Sequence, residues 1–286
     1  MVNRIPTDQD CRNFLSEGVD VVYSAETFYN PNLPDIARRY GVKTILHINR
    51  EFLDLRDRPD LWAAPSMWHF DEVPEPRIFL PVPIDLGSFP ARSPSGEATR
   101  FVHVIGRPAV RDRNGTADLL DALTYVQTPI ELTVHCQDEH YVSALLASRR
   151  IPRHIHLNVR TGDVPDHAEL YAGHDVLLLP RRFAGLCLPA NEALGAGLPV
   201  VMTDVSPNST WLPADWLVPA ESRGSFMAKT RVEVYSADHR ALAAKIDQFA
   251  TDPDFYQKAA GIARDLAEAN SWQILKPLYE KTFADL

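Results

Sequence analysis

Several features that would assign this 286-residue chain to a class at once are missing from it. No apolar run approaches the roughly 18 residues of a membrane-spanning helix, and the first residues lack the apolar stretch of a signal peptide. The three cysteines, Cys11, Cys136 and Cys187, are far apart and form no CxxC pair. We therefore expect neither a membrane span nor disulfides, and a reducing, cytoplasmic location.

Positive charge is scarce as well. The 29 Lys and Arg residues face 38 Asp and Glu residues, for a formal net charge of −9. A surface this acidic has no general attraction for nucleic-acid backbones or anionic membranes, although a local basic cleft is compatible with it. The signatures GxxxxGKS/T, GxSxG and HExxH are absent, as is GxGxxG after a strand. Their absence argues against P-loop hydrolases, α/β-hydrolases and dinucleotide oxidoreductases.

Short apolar runs, many of them ended by proline, alternate with helical patterns along the chain. Strands are predicted at residues 20–24, 44–48, 61–68, 78–82, 101–105, 131–135, 154–158, 175–179 and 199–203. Helices are predicted at residues 34–40, 116–125, 140–148, 166–172 and 189–196, and from residue 238 onward. This alternation predicts an α/β fold with parallel sheets.

The stretch from Asp175 to Asp204 carries the strongest functional signal. A buried strand runs into a short loop with Gly185, and a helix begins at Pro189. The unpaired backbone N–H groups at such a helix start bind phosphate or another anion. Glu192, one turn into the helix, offers a carboxylate to two neighbouring hydroxyl groups. The alternative is an ordinary crossover helix with Glu192 in solvent.

A second signal lies between residues 102 and 122, where a strand is followed by Arg107, and Arg113 precedes a Leu-rich helix. Two fixed cations at this point would attract an anionic ligand. The alternative is a solvated loop in which Arg107, Arg111 and Arg113 pair with Asp112 and Asp118.

These two stretches resemble the nucleotide-sugar site of GT-B retaining glycosyltransferases, in particular the glycosyltransferase family 4 group. The family pattern E-G-F-G-L-P-x-x-E-A, with G-x-P-V-V after it, is matched by Gly185, Leu188, Pro189, Glu192, Ala193, Gly197, Pro199, Val200 and Val201. The family's Gly-Arg pair after a strand, and its second basic residue before a helix, are matched by Gly106, Arg107 and Arg113.

The resemblance implies a role for each of these residues. Glu192 would bind the ribose hydroxyls of the donor nucleotide, while Arg107 and Arg113 would hold its diphosphate and act in catalysis. Ala184 stands where the family has a glutamate that contacts the transferred sugar. The other donor-binding residues that the resemblance implies are Gly106, Thr161, Gly185, Leu186, Cys187, Leu188 and Pro189.

Three further passages extend the resemblance. Residues 78–89 are similar to the passage that leads into the family's second domain, and residues 158–180 to one whose loop, here at Thr161 to Val164, lines the base. The strand at residues 44–49 is similar to a first-domain strand that ends in a histidine. This similarity makes His47 a candidate catalytic contact with the sugar or its acceptor, whereas the alternative is a structural histidine.

The fold that the resemblance implies is α/β and GT-B-like, with two Rossmann-like domains built on parallel sheets, the first of them shortened. We predict a partial acceptor-side domain at residues 1–85, a linker at 86–100 and a nucleotide-sugar-binding domain at 101–270. Residues 271–286 are predicted to form a helix that packs back toward the first domain. The short first domain is a minimal form, is completed by a partner chain, or has a truncated start, and these alternatives stay open. A homo-oligomer is a candidate for covering the sheet edge that would be exposed.

The implied function is transfer of a sugar from a nucleotide-sugar donor, with retention of configuration and without a metal or other cofactor. Candidate acceptors are a protein, a glycan, a small molecule or a modified nucleobase. Two alternatives stay open: a non-catalytic nucleotide-sugar-binding relative or regulatory subunit, and a sugar-nucleotide epimerase or hydrolase. The product formed distinguishes these functions.

Overall fold

The computed structural model describes residues 4–90, 94, 96–108, 111–183 and 185–286. Contacts divide the chain into two compact units. Unit 1 comprises Met1–Val82, Phe226–Val232 and Leu275–Leu286, and unit 2 comprises Pro83–Ser225 and Glu233–Ile274. Among the described residues, no helix combines the length and the apolar character that a membrane crossing requires.

Unit 1 contains a four-stranded parallel sheet whose strands are adjacent in chain order. The strands are β1 (Val21–Ala25), β2 (Lys43–His47), β3 (Leu61–Ala64) and β4 (Arg77–Phe79). Two helices lie before β1 and before β2, α1 (Asp8–Leu15) and α2 (Leu33–Arg39). The helix α1 begins at a capping box, in which Asp10 accepts the Thr7 N–H at 2.7 Å and donates its own N–H to the Thr7 hydroxyl oxygen.

Alternating side chains of unit 1 point to opposite faces of its sheet, and each face is covered. On one face Leu46 packs in a cluster with residues of α1 and α2, including Leu15 and Ile36. On the other face Ile45 belongs to a cluster with Leu278, Tyr279 and Phe283 of the C-terminal helix.

Unit 2 contains a six-stranded parallel sheet. Its strands are β5 (Arg100–Gly106), β6 (Ile130–Cys136), β7 (Ile155–Thr161), β8 (Val176–Leu179), β9 (Val200–Thr203) and β10 (Leu217–Val218). They lie side by side in the order β10-β9-β8-β5-β6-β7. The remaining helices are α3 (Thr116–Ala122), α4 (Glu139–Ala147), α5 (Leu188–Gly195), α6 (Asn208–Trp211), α7 (His239–Thr251), α8 (Pro253–Ala269) and α9 (Trp272–Ala284).

The predicted strands are confirmed, with shifts of a few residues at their ends. The α-helix predicted at residues 166–172 is wrong, since the structure forms only a short 3-10 helix, His167–Leu170, capped by Asp166. A two-stranded sheet of β11 (Ala220–Met227) and β12 (Arg231–Ala237) was not predicted, because β11 is polar and almost wholly exposed. Phe89, in the segment whose composition predicts a linker, is 8% exposed and belongs to the core of unit 2.

Candidate functional site

The strand order of unit 2 reverses at β5, which has β6 and β7 on one side and β8, β9 and β10 on the other. Open parallel sheets bind ligands outside the carboxyl ends of their strands at such a point. Here β5 ends at Gly106 and β8 at Leu179, and the strands pair with Phe101 beside Val176. The candidate site is therefore the crevice expected outside the carboxyl ends of β5 and β8, next to Arg107.

The loop that precedes α3 is held in a strained conformation. Arg111 and Asp112 have positive φ angles of 61° and 51°, which non-glycine residues keep only where their surroundings enforce them. The Asp112 carboxylate does so by accepting hydrogen bonds from the N–H groups of Thr116 and Ala117, each at 2.9 Å, and from the Tyr141 hydroxyl at 2.8 Å. The loop that carries Arg113 is therefore preorganised.

Gly115 sets how closely this loop approaches the end of β8. Its φ is +70°, and a Cβ atom there would lie 2.0 Å from the Pro180 carbonyl oxygen. Arg182 then joins the two segments, because its N–H donates to the Arg113 carbonyl at 2.8 Å and its Nη1 to the Arg111 carbonyl at 3.1 Å. The segments after β5 and β8 thus form one continuous wall of the crevice.

The two predicted diphosphate ligands differ in setting. Arg113 is half-buried, and its guanidinium lies 4.9 Å from the centre of the Phe183 ring, a cation–π contact. Arg107 is exposed and follows Gly106, whose φ of +63° a glycine adopts without strain. One cation is therefore held against an aromatic ring, and the other lies exposed at the end of β5.

The carboxylates that would pair with these arginines in a solvated loop serve the scaffold. Asp112 caps α3, and Asp118, 8% exposed, accepts the Ser236 hydroxyl at 2.9 Å and the Ala237 N–H at 3.1 Å. Both acidic side chains are thus committed to backbone or core partners.

The start of α5 forms the next part of the site. Cys187, at the N-cap, is 6% exposed and makes no capping hydrogen bond with its side chain, and Pro189 lies in the first turn. Leu188 is 48% exposed. Pro189 has no N–H, and the N–H groups of Ala190 and Asn191 donate to the Cys187 carbonyl at 3.0 and 3.3 Å. What the start of α5 offers a ligand is therefore mainly the positive end of its dipole.

Glu192 lies on α5 and is half-buried. Its Oε2 atom accepts a hydrogen bond of 2.6 Å from the hydroxyl of Tyr171, which is fully buried. Sequence reasoning did not identify Tyr171 as part of the site. The one signal for it is its place within residues 158–180, the passage that resembles the family.

Arg181, directly after β8, was not identified from the sequence either. It is 4% exposed, its Nε donates to the Phe183 carbonyl at 3.1 Å, and its carbonyl accepts the Thr203 hydroxyl at 2.5 Å. Sequence pattern does not distinguish it from its neighbour Arg182, because its contact with Thr203 of β9 forms only in the folded chain.

The remaining predicted donor-binding residues lie at the end of β7 and in the segment between β8 and α5. Thr161 is exposed at the carboxyl end of β7, the edge strand. Gly185 is buried and Leu186 half-buried in the segment before α5. Ala184, which replaces the family's sugar-contacting glutamate, lies outside the described residues. In the described part of the chain, no three His, Cys, Asp or Glu side chains are grouped to hold a metal ion.

His47 belongs to unit 1 and stands at the end of β2. It is 6% exposed, and its Nδ1 is hydrogen-bonded to the hydroxyl of Tyr23. Burial lowers the pKa of His47 to about 4, so the imidazole is neutral at neutral pH. These are the properties of a packed histidine, and its catalytic role stays a prediction.

Solved glycosyltransferase structures share this fold. Sucrose-phosphate synthase from Thermosynechococcus elongatus matches 97% of this chain and 77% of its own, with a TM-score of 0.71 and 16% identity. A glycosyltransferase from Rickettsia africae matches 100% and 83%, with a TM-score of 0.68 and 14% identity. Anabaena HepE, solved with UDP and glucose, matches 97% and 82%, with a TM-score of 0.70 and 13% identity. No curated protein sequence matches the chain.

Two α/β units, each built on a parallel sheet, form the GT-B fold that these glycosyltransferase structures share. The family model "Glycosyl transferases group 1" matches residues 99–252, more than half of the chain. The chain belongs to this family and is a glycosyltransferase.

Proposed function

We propose that this enzyme uses a nucleoside diphosphate sugar and binds it in the crevice of unit 2. The observation that carries the proposal is the anchored loop before α3, which fixes Arg113 against the segment that leads to the start of α5. A fixed cation and the positive end of a helix dipole favour a diphosphate. UDP-sugars are the first donors to test, because HepE was also solved with UDP-glucose and pneumococcal O-GlcNAc transferase GtfA with UDP and GlcNAc.

Each part of the donor is bound by different residues. Arg107, Arg113 and the start of α5 hold the diphosphate, Glu192 accepts from the ribose hydroxyls, and Thr161 lies beside the base. The phosphates are surrounded by residues from two parts of the chain: Gly106 after β5, and Gly185, Leu186, Cys187, Leu188 and Pro189 around the start of α5.

The reaction breaks the bond between the anomeric carbon of the sugar and the terminal phosphate oxygen, and the electron pair goes to the diphosphate. The acceptor oxygen bonds to that carbon on the same face, and its proton passes to the departing phosphate, so configuration is retained. The arginines and the dipole of α5 offset the charge that develops, which makes a metal ion unnecessary. Three free, buried cysteines support a reducing, cytoplasmic site of action.

Calorimetric titration of UDP, GDP, ADP, TDP and CMP into the whole chain tests the proposal. We expect one nucleotide to bind tightly, and Arg113→Gln and Glu192→Gln each to weaken it at least tenfold. The control is Arg153→Gln. Arg153 is exposed and lies just before the amino end of β7, whereas the proposed site lies at the carboxyl ends of the strands. Equal binding by Arg113→Gln and the wild type, or no binding of any nucleotide, would contradict the proposed site.

A further inference from the structure

The Glu192 side chain is already engaged before any ligand binds. The Tyr171 hydroxyl donates to its Oε2 atom at 2.6 Å. A carboxylate has two oxygens with about four acceptor positions. The tyrosine takes one of them, so Oε1 and a second position on Oε2 are left for other donors.

Tyr171 itself is fixed by packing on every side. It is 0% exposed, and its N–H donates to the Ala168 carbonyl at 3.1 Å at the end of the short helix capped by Asp166. The ring of Phe89 packs against it edge-on, with centroids 6.2 Å apart. Phe89 in turn fills the space beside Gly195, where a Cβ atom would lie 2.7 Å from the phenylalanine ring.

The protonation of this tyrosine is fixed as well. Burial, and next the negative charge of Glu192, raise the pKa of Tyr171 far above its ordinary value. The phenol therefore stays neutral at every physiological pH and always has a proton to donate. Since a buried hydroxyl without an acceptor is costly, Glu192 is the acceptor that satisfies it.

A glutamate side chain otherwise samples several rotamers and loses that freedom when it binds a ligand. Holding one oxygen in place removes most of this entropy cost. It also points the remaining acceptor positions in one direction, where two donors on adjacent carbons can reach them together.

We propose that Tyr171 is a positioning residue, which holds the Glu192 carboxylate so that it accepts from both vicinal hydroxyls of a ribose. The inference rests on the proposed donor site and adds the residue that sets its selectivity for ribonucleotides over 2′-deoxyribonucleotides. Phe89 and Gly195 support the tyrosine and do not touch the donor.

The test is a double-mutant cycle in the whole chain with Tyr171→Phe and Glu192→Gln, titrated with the ribose and 2′-deoxyribose forms of UDP, GDP and ADP. We expect Tyr171→Phe to weaken binding of the ribonucleotide about fivefold. The ratio of the affinity for the ribonucleotide to that for the 2′-deoxyribonucleotide should fall at least threefold. The double variant should bind no more weakly than Glu192→Gln alone, because Tyr171 acts through Glu192.

The matched control is Tyr256→Phe. Tyr256 is also fully buried, and its hydroxyl faces the buried Asp175 carboxylate at 3.5 Å, before the amino end of β8. Tyr256→Phe should lower thermal stability and leave the ratio of ribonucleotide to 2′-deoxyribonucleotide affinity unchanged. If Tyr171→Phe behaves in the same way, or if the two site substitutions are additive, the inference is wrong while the donor site stands. If Glu192→Gln itself leaves binding unchanged, the donor site is wrong.

Discussion

Two residues named by the family resemblance, Glu192 in unit 2 and His47 in unit 1, each share a hydrogen bond with a tyrosine, and the two pairs differ in what they leave available. Glu192 is half-buried, and Tyr171 occupies one of its acceptor positions. His47 is 6% exposed, and Tyr23 holds its Nδ1.

The difference shows what a motif match conveys. A match in sequence fixes a position at the end of a strand or the start of a helix, but it does not fix whether the polar atoms there face a ligand. At Glu192 the tyrosine is buried and the site residue is accessible, whereas at His47 the site residue is buried and Tyr23 is 38% exposed. We expect nucleotide binding to depend on the first pair and not on the second.

Backbone geometry gives the largest expected contrast between the two units. Gly115 and Gly41 both have a φ of +70°, but a Cβ at Gly115 would lie 2.0 Å from a backbone oxygen, whereas nothing lies within 4 Å of one at Gly41. Gly41→Ala should cost about 1 kcal/mol of unfolding free energy from strain alone. Gly115→Ala should cost about 4 kcal/mol or more. Denaturant unfolding measures both, and equal costs would contradict the close approach of the loop to β8.

Nucleotide affinity gives the next contrast. Glu192→Gln removes a charged acceptor of two hydroxyl groups and should weaken nucleotide binding by about 2 kcal/mol, or roughly 30-fold. His47→Gln should change it less than about twofold. If His47→Gln lost as much nucleotide affinity as Glu192→Gln, the two pairs would not differ in nucleotide binding and the expected contrast would be wrong.

The pH dependence of stability tests the burial of His47. Its pKa is about 4 in the folded chain and about 6.5 when unfolded, so the unfolded state binds more protons between these values. The contribution of His47 to the free energy of unfolding is therefore fully present above about pH 6.5 and is lost as the pH drops toward 4. His47→Gln should reduce the loss between pH 7 and 4.5 by about 2 kcal/mol. His135 and His174 of unit 2, whose pKa values burial also lowers to about 4, account for further acid sensitivity. An unchanged pH profile in His47→Gln would show that this histidine is hydrated.

The smallest effect is expected at the tyrosine of unit 1. Tyr23→Phe removes the hydroxyl that is hydrogen-bonded to His47 and Tyr279, and should lower the free energy of unfolding by about 1 kcal/mol. Nucleotide affinity and ribose selectivity should stay as in the wild type, in contrast to Tyr171→Phe. The two variants, measured side by side by thermal unfolding and calorimetry, separate a packing tyrosine from a positioning one.

Much of the scaffold follows from local sequence. Apolar runs bounded by proline place the strands, because a buried parallel strand is continuous in its hydrophobicity. The helix α1 was missed although Thr7 and Asp10 carry the signal of a capping box. The β11–β12 hairpin was missed because the exposed residues of β11 carry no hydrophobic alternation.

The candidate donor-binding residues are predictable only where a motif spans them. Arg107, Arg113 and Glu192 lie in contiguous patterns, whereas Tyr171 and Arg181 acquire their settings from distant partners. Tyr171 reaches Glu192 across 21 residues of sequence. Arg181 is buried and its carbonyl accepts the Thr203 hydroxyl across 22 residues of sequence, and nothing in a single sequence marks an arginine as buried.

A crystal structure of the chain with its best-binding nucleoside diphosphate tests the central claim most directly. We predict the diphosphate within hydrogen-bond distance of Arg113 and the start of α5, with both ribose hydroxyls on Glu192 and the Tyr171 hydroxyl still bonded to its Oε2. A nucleotide bound elsewhere, or a ribose turned away from Glu192, would contradict the account.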